Sequence, residues 1–382
     1  MTAARVIVAG AGPVGLAAAL LLDRLGYRID LVSPRRAADE RTSALLAGSV
    51  ALLERLGVWR AVVGEAAPLR SLRIVDGTRR LIRAPEVLFH ASEIGLDAFG
   101  YNVPNRALLA VLEAALASTG VRRIDAAVED VIPGTSGIGA RLSNGEEIDA
   151  TLIVAADGRR SRVREAVGIA VNEWRYDQSA LVVNLSHDRP HEDTSTEFHT
   201  EAGPFTLVPL PGQRSSLVWV DRPAATERRA NLPAAELATE TEERSAAILG
   251  AISIDGPAQT FPLAGMNATR LAGPRLLLVG EAAHLFPPIG AQGLNLGYRD
   301  VTALGQVLRG HHTDPGLPDL LAAYERSRRS DVASRTLAVD ALNRTLLTDF
   351  IGMQGLRGLG LFLLDRLPAL RRAVMRRGVD AA

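Results

Sequence analysis

The sequence of 382 residues contains no cysteine and no lysine. The absence of cysteine excludes disulfide bonds, thiolate nucleophiles and cysteine-based zinc sites. The absence of lysine excludes Schiff-base and P-loop lysine chemistry. The 43 basic and 43 acidic side chains leave a formal net charge of zero. Because such a chain has no general field that attracts nucleic acid, we predict no nucleic-acid partner.

Long apolar runs are also missing. No uninterrupted stretch reaches the roughly 18 apolar residues that a transmembrane helix needs, so none is predicted. The first residues, MTAARVIVAG, lead directly into a strand without the pattern of a signal peptide. These features predict a cytoplasmic protein. The 47% hydrophobic and 23% charged content is typical of a globular chain, and the length is comfortable for two domains.

A glycine-rich turn stands near the start of the sequence, in the segment RVIVAGAGPVGLAAALLLDRLGYRIDLVS. An apolar strand precedes the turn, and a helix and a second strand follow it. In dinucleotide-binding folds, glycines at the positions of Gly10, Gly12 and Gly15 permit a tight turn, approach to a pyrophosphate, and helix–strand packing, respectively. The second strand ends at Ser33, where an acidic residue for the ribose is usual. The pattern predicts a nucleotide site and leaves NAD and FAD both open.

Two later segments have the same design, an apolar strand followed by a glycine and an acid. The first strand covers residues 152–155 and the second covers residues 276–279. Ligands of doubly wound sheets lie beyond the carboxyl ends of the strands, so we expect one extended dinucleotide across this edge. The predicted contacts there are Asp157, Gly158, Gly280 and Glu281.

The loop after Glu281 is nearly uncharged and rich in glycine. Gly290 and Gly293 precede a helix that is predicted to begin near Leu294. Backbone N–H groups and the positive dipole end of such a helix bind anionic groups. We therefore include Gly290, Gly293, Leu294 and Asn295 among the predicted cofactor contacts.

The middle of the chain has a different character. Residues 180–265 contain short runs rich in Val, Thr and aromatic residues, which predict an antiparallel sheet, with a helix over residues 233–252. A sheet inserted between pieces of a doubly wound domain indicates a second lobe that covers a cofactor. His187, His191 and His199 lie close in sequence, but their irregular spacing favours structural roles, and we predict no metal site.

The three motifs together resemble those of the class A FAD-dependent aromatic monooxygenases, most of all the ubiquinone-biosynthesis hydroxylases of UbiH/UbiF type. The family pattern G-D-A-A-H appears here as GEAAH, residues 280–284, so Glu281 replaces the usual Asp. The segment ADERTSALLAGSVALLERLGVW resembles a signature that makes Arg41 an FAD contact. The segment GYNVPNRALLAVLEAAL resembles the helix that places Arg106 beside the flavin. The resemblance covers roughly residues 5–378, and Ser33 is its second departure.

This resemblance implies a fold and a division of the chain. The expected fold is α/β: a Rossmann-like FAD-binding domain with a doubly wound, mostly parallel sheet, an inserted antiparallel-sheet substrate domain, and a C-terminal helical tail. Residues 1–72, 97–176 and 267–349 are expected to form the FAD-binding domain. Residues 73–96 and 177–266 form the substrate domain, and residues 350–382 form the tail.

The resemblance also implies the chemistry. FAD is the expected cofactor, and NADH or NADPH is the transient reductant. The expected reaction hydroxylates the aromatic ring of a polyprenyl phenol in ubiquinone biosynthesis, with O2 activated as a C4a-hydroperoxyflavin. Pro287 and Pro288 are expected to wall the space where substrate meets flavin. No catalytic acid or base is assigned, and other quinone-biosynthesis enzymes are candidate partners.

Two interpretations of the tail stay open. Between residues 350 and 378, six arginines face one acid, and leucines recur at helical spacing. This pattern fits peripheral attachment to an anionic membrane on its inner face. It fits equally a helix packed on protein.

Three alternative functions also stay open. The first is a soluble FAD hydroxylase of a small phenol, and the second is a flavin reductase that saturates prenyl chains. The third is a non-catalytic FAD-fold subunit of a quinone-synthesis complex.

Overall fold

The computed structural model describes residues 3–35, 39–78, 85–287, 291–347 and 367–379, and of residues 338–347 it describes the backbone only. Its strands are β1 (Arg5–Ala9), β2 (Arg28–Val32), β3 (Thr42–Leu46), β4 (Ala67–Pro68), β5 (Ser71–Asp76), β6 (Val87–His90), β7 (Gly100–Pro104), β8 (Arg122–Ile124), β9 (Val128–Pro133), β10 (Ile138–Leu142), β11 (Glu147–Ala150), β12 (Leu152–Ala155), β13 (Val171–His187), β14 (Thr194–His199), β15 (Pro204–Leu210), β16 (Arg214–Asp221), β17 (Ile252–Ala268), β18 (Ala272–Gly273), β19 (Leu276–Leu278) and β20 (His284–Leu285). Its helices are α1 (Pro13–Arg24), α2 (Ala47–Arg55), α3 (Trp59–Val62), α4 (Asn105–Ala117), α5 (Arg162–Ala166), α6 (Pro223–Ala230), α7 (Ala234–Arg244), α8 (Gln292–Leu308), α9 (Pro318–Leu347) and α10 (Pro368–Val379).

The three apolar strands that the sequence predicts lie side by side in one sheet. Its order is β18-β19-β12-β1-β2-β8, and all neighbours are parallel except β18 and β19. Every residue of β12 and β19 is buried, as expected for strands covered on both faces. Helices α1, α8 and α4 pack together beside the sheet. The predicted doubly wound fold is confirmed.

A second, eight-stranded sheet has the order β20-β17-β13-β16-β15-β14-β5-β6. Its pairs are antiparallel except for β14 with β5. Helix α7 packs on β17 and ends at Arg244, so the predicted helix over residues 233–252 is too long. The chain instead turns at Gly250, whose φ of +73° favours glycine.

Strands β5 and β6 belong to this second sheet, although they come from a part of the chain between α3 and β7. This placement is the one expected if residues 73–96 are part of the substrate domain. The domain boundaries themselves stay a prediction. Two three-stranded sheets, β3-β7-β4 and β11-β10-β9, complete the strand architecture of the described residues.

The C-terminal helix α10 packs against protein. Met375 and Val379 join a buried cluster with Phe89 and Phe99, and the Arg371 guanidinium bonds both carboxylate oxygens of Glu93 at 2.6 and 2.7 Å. The apolar stretch predicted before Pro368 lies outside the described residues. Within the described part of the chain, no helix is both long and apolar enough to cross a membrane.

Candidate active site

The first glycine-rich turn connects β1 to α1 at the carboxyl edge of the parallel sheet. Gly10 has φ of +106°, and a Cβ there would lie 2.2 Å from the carbonyl oxygen of Ala156. A Cβ on Gly15 would lie 2.0 Å from the Gly10 carbonyl oxygen, so any larger residue would separate helix from turn. Gly12 is the N-cap of α1 and has no side chain to cap it. The first amides of α1 are therefore available to a ligand.

The acid of the second motif, Asp157, follows β12, the strand next to β1. Its Oδ2 accepts the backbone N–H of Val163 at 3.3 Å, whereas its buried Oδ1 has no protein partner in the described structure. Burial raises the pKa of this carboxyl, and hydrogen bonds from Ser161 and backbone amides oppose the rise. Gly158 follows with φ of +92° and open space around it. An unpaired buried acceptor at this edge suits a ligand hydroxyl.

The third motif forms a short 3₁₀ turn over Gly280–Ala282, between β19 and β20. Gly280 has φ of +60°, and its N–H donates to Asp300 Oδ2 at 2.8 Å. Glu281, the predicted acid of the motif, is exposed. The turn therefore exposes the carboxylate of Glu281 to solvent, whereas the buried carboxylate of Asp300 binds its backbone.

Asp300 lies on α8, and its side chain is 1% exposed. It accepts hydrogen bonds from Gly280 N–H, from His284 Nε2 at 2.7 Å and from Arg328 Nε at 2.7 Å. Burial alone would raise the pKa of Asp300, but the charges of His284 and Arg328 and the bonds from all three donors hold it below its usual value. A buried charge with this many partners fixes its neighbours in one arrangement.

The network continues through Arg328 to Asp331 on α9. Asp331 also accepts hydrogen bonds from Nε and Nη2 of Arg299, both at 2.8 Å. Burial opposes ionisation, but the hydrogen bonds and charges of Arg299 and Arg328 lower the pKa of Asp331 to about 2. Arg335 bonds Asp331 and also donates to Gln292 Oε1 at 2.9 Å, which ties α9 to the first residue of α8.

Helix α8 begins beside the third motif. Its N-cap, Ala291, adopts a left-handed conformation with φ of +54° and makes no side-chain cap. The amides of Gln292, Gly293 and Leu294 lie in the first turn, where no intrahelical carbonyl reaches them. The predicted contact Asn295 is different, because its side chain bonds Leu46 N–H, Ser49 Oγ and two backbone carbonyls. Its amide group is therefore committed to holding α8 against β3 and α2.

The remaining predicted contacts lie around this edge. Ser33 is buried directly after β2, and its hydroxyl donates to the Pro34 carbonyl at 3.2 Å. Arg41 pairs with Asp39 through two 2.8 Å bonds. This bonding and the nearby charge of Glu281 raise the pKa of Arg41 against the effect of burial. Arg106 is exposed in the first turn of α4.

The second sheet contributes the opposite wall. The guanidinium of Arg41 lies 5.4 Å from the ring centroid of Phe261 on β17. Strand β20, which follows the Gly280–Ala282 turn, pairs with β17 through Met266 and Leu285. Pro287 is buried just beyond β20. The predicted contacts Pro288 and Gly290 lie outside the described residues.

Sequence reasoning missed the buried polar residues behind this edge. Asp300 ends the glycine-rich segment after the third motif and Arg328 lies on the next helix, but nothing in the sequence marks either side chain as buried. Arg164 is 3% exposed and donates to the Ala282 carbonyl at 2.9 Å and to the Arg159 carbonyl at 3.0 Å. It connects the second motif to the third.

The histidines of the second sheet have structural partners. His187 bonds the Arg189 carbonyl at 2.7 Å and Ser215 Oγ at 3.0 Å, and His199 bonds Glu197 at 2.8 Å. Burial lowers the pKa of His187. Over the residues whose placement the structure describes, no cluster of potential ligands could hold a metal ion.

These observations fit an extended dinucleotide. The N-termini of α1 and α8 have no side-chain caps. The buried Oδ1 of Asp157 has no partner among the described residues, and its strand, β12, lies between β1 and β19 in the sheet. A family model described as the FAD binding domain matches residues 3–339 of the chain. The protein belongs to this FAD-binding family, and FAD is its cofactor.

Two relatives define the enzyme class more closely. The chain is 35% identical to the ubiquinone hydroxylase UbiL of Rhodospirillum rubrum, covering 98% of this chain and 89% of the relative. It is 31% identical to the 3-demethoxyubiquinol 3-hydroxylase of Escherichia coli, covering 97% of each chain. The chain is thus an FAD-dependent monooxygenase of the hydroxylase group that the sequence motifs resemble, which confirms that resemblance.

A solved structure shares the fold. The chain superposes on Klebsiella pneumoniae HpxO complexed with FAD and uric acid with a TM-score of 0.79 and 19% identity, over 97% of this chain and 96% of that one. At this identity the likeness concerns the fold alone. The two proteins therefore share the overall fold.

Proposed function

We propose that this protein hydroxylates the aromatic ring of a polyprenyl phenol during ubiquinone biosynthesis, using FAD, O2 and NADH or NADPH. The observation that carries the proposal is the identity of 35% and 31%, over nearly the whole chain, to two ubiquinone-pathway hydroxylases. The site geometry supports it, because both helix starts and the acid-bearing strand ends lie at the carboxyl edge of the parallel sheet.

Particular residues would hold each part of FAD. The first turn of α1, opened by Gly10 and Gly12, would bind the pyrophosphate through backbone N–H groups. Ser33 would reach the adenosine ribose with a hydroxyl in place of the usual carboxylate. The unpaired Oδ1 of Asp157 and the exposed carboxylate of Glu281 would accept hydrogen bonds from sugar or ribityl hydroxyls. Arg41 and Arg106 are proposed contacts near the ring.

When bound, FAD supplies hydride acceptance and the activation of O2. The protein binds and orients the cofactor and the substrate and excludes water from the site. The uncapped first turn of α8, which includes Gly293 and Leu294, would stabilise negative charge on the pyrimidine side of the ring. Buried Pro287 and the ring of Phe261 would exclude water from the space where the phenol approaches. An electron-rich phenol needs no strong base to attack electrophilic oxygen, so no catalytic acid or base is assigned.

The reductant is proposed to bind transiently. The sequence contains a single G-x-G-x-x-G turn after a strand, and this turn is assigned to FAD. A nicotinamide nucleotide would therefore bind transiently near the flavin, without a nucleotide-binding fold of its own.

The test has two parts. Purified protein is expected to carry FAD and to incorporate one oxygen atom from labelled O2 into a polyprenyl phenol, with NADH or NADPH consumed. Deletion of the gene in its native host is expected to cause accumulation of an under-hydroxylated quinone precursor, identified by mass. Re-expression of the wild-type chain should remove the precursor, whereas a variant that binds no FAD should not. Oxygen in the product that comes from water, or an unchanged quinone pool, would overturn the proposal.

A further inference from the structure

Helix α10 uses only part of its circumference to pack on the protein. Arg371, Met375 and Val379 recur every four residues and face the cluster around Phe89, where the Arg371 guanidinium lies 4.6 Å from the ring centroid. Leu370 and Val374, with Leu367 directly before the first helical residue, are spaced by three and four and form another face. One face anchors the helix, and the other faces solvent.

The exposed face is apolar beyond what the rest of the surface shows. Leu367, Leu370 and Val374 are 47%, 43% and 46% exposed. Only three other large apolar side chains are exposed among the described residues, and they lie on separate elements. Single exposed apolar residues are ordinary, whereas three within eight residues, at the start of one short helix, indicate an interaction surface.

The charge around this apolar face has one sign. Residues 367–379 contain four arginines and no acid. Arg371 is held by Glu93, but Arg372, Arg376 and Arg377 are exposed and form no ion pair with any described residue. Arg377 lies two turns after Leu370, on the same side of the helix. Arg372 and Arg376 lie farther round the helix, on the other side of the surface that α10 leaves unpacked. An apolar stripe with unpaired arginines on the rest of the exposed surface complements an anionic lipid surface, where apolar side chains enter the acyl boundary and long arginine side chains reach phosphates.

The position of α10 connects this surface to the candidate active site. The apolar cluster under α10 includes Leu46 at its edge, and the N–H of Leu46 is bonded by Asn295 of α8 at 2.8 Å. Leu46 thus links the cluster under α10 to α8, the helix whose first turn opens the site. A substrate with a long polyprenyl chain resides in lipid, so a lipid contact on this side would bring the site to the substrate.

We propose that the outer face of α10, formed by Leu367, Leu370, Val374, Arg372, Arg376 and Arg377, docks on the headgroup region of an anionic membrane. The use made of this contact rests on the proposed function, but the contact itself does not. Each arginine is expected to strengthen binding about 5-fold, so that all three contribute on the order of 100-fold. The binding weakens as salt concentration rises.

The absence of cysteine gives a direct probe of this helix. The variant Val374→Cys is labelled with an environment-sensitive fluorophore. The matched control is Leu317→Cys, labelled in the same way; Leu317 is 44% exposed and lies beside Gly316, at the opposite edge of the parallel sheet. The full-length, FAD-loaded protein is titrated with phosphatidylcholine vesicles with or without phosphatidylglycerol. The label on residue 374 is expected to shift to the blue with phosphatidylglycerol only, and the label on residue 317 is not.

Vesicle co-sedimentation of unlabelled variants supplies the second measurement. The triple variant R372Q/R376Q/R377Q and the double variant L370N/V374N should both lose binding. The control variant R60Q/R270Q/R309Q removes the same amount of charge at exposed positions elsewhere and should still bind the vesicles. All variants should retain FAD, and none of these assays depends on turnover, so failure of lipid binding is distinct from failure of the hydroxylase proposal. Absent binding to phosphatidylglycerol vesicles would overturn the proposal, as would a protein dimer abolished by the same substitutions.

Discussion

Replacement of Asp300 by Asn tests whether the buried network holds the third motif. The substitution keeps the shape but removes the charge, and it sets an amide N–H₂ group against donors from His284 or Arg328. Removing one partner of a buried ion pair costs about 3–5 kcal/mol. Because Arg328 keeps its bond to Asp331, we expect the lower end, about 3 kcal/mol of unfolding free energy. At ~2 °C per kcal/mol, the melting temperature should fall by ~6 °C.

The matched control is Asp314→Asn. Asp314 also binds an arginine through two bonds, at 2.7 and 3.0 Å to Arg275, but its side chain is 30% exposed. Pairs near the surface contribute ~1 kcal/mol or less, so this variant should lose ~2 °C. Circular dichroism of flavin-free protein measures both, and flavin titration should show weaker FAD binding for D300N alone, because the amide of Gly280 loses its anchor. Equal melting temperatures for D300N and D314N would refute this account of Asp300.

Three other substitutions test separate parts of the site. Gly10→Ala should abolish FAD binding because its Cβ would meet the Ala156 carbonyl. The control is Gly145→Ala, at φ of +85° with no atom within 4 Å of its Cβ. It should lower the free energy of unfolding by only ~1 kcal/mol in a urea titration and keep FAD. Glu281→Ala should lower flavin content on purification and Glu281→Asp should keep or raise it; unchanged content in both contradicts the ribityl role. The pKa of Asp331 is about 2, below the usual value near 4, so its stabilisation is complete above pH 4 and is lost as pH falls towards 2. Asp331→Asn should therefore remove about 2 kcal/mol at neutral pH and flatten the loss between pH 4 and 2, and a urea-midpoint profile parallel to wild type would count against it.

The parallel sheet and its ligand edge could be predicted because local signals repeat there. Three apolar strands each lead into a glycine, and a strand buried on both faces leaves a continuous apolar run. Asp157 is predicted as a contact for the same reason, since it comes two residues after the strand; the structure places it at this edge, and its contact with the cofactor stays a prediction. The predicted helix over residues 233–252 was too long because Ala and Leu continue past Arg244, whereas the chain turns where tertiary packing and Gly250 require it.

The contacts that hold the site in place could not be predicted in this way. Asn295 is predicted as a cofactor contact from its place after Gly293, and that contact stays a prediction. The sequence does not show that its side chain bonds β3 and α2 across about 250 positions. Sequence spacing gives the position of a residue on a helix but not what faces it. Strand β20, only two residues long, pairs with β17 through a register that no local periodicity marks.

The turn at Gly280–Ala282 explains why a buried polar network is needed here. The turn leaves the parallel sheet at β19 and enters the antiparallel sheet at β20, so both sheets depend on its geometry. Glycine and alanine offer it almost no apolar surface to pack, and its one long side chain, Glu281, faces solvent. Hydrogen bonds must therefore fix it, and they do so through Asp300 to its amide and Arg164 to its carbonyl. The acid that shapes this motif is thus Asp300 on the following helix, which leaves the carboxylate of the motif itself free to meet a ligand.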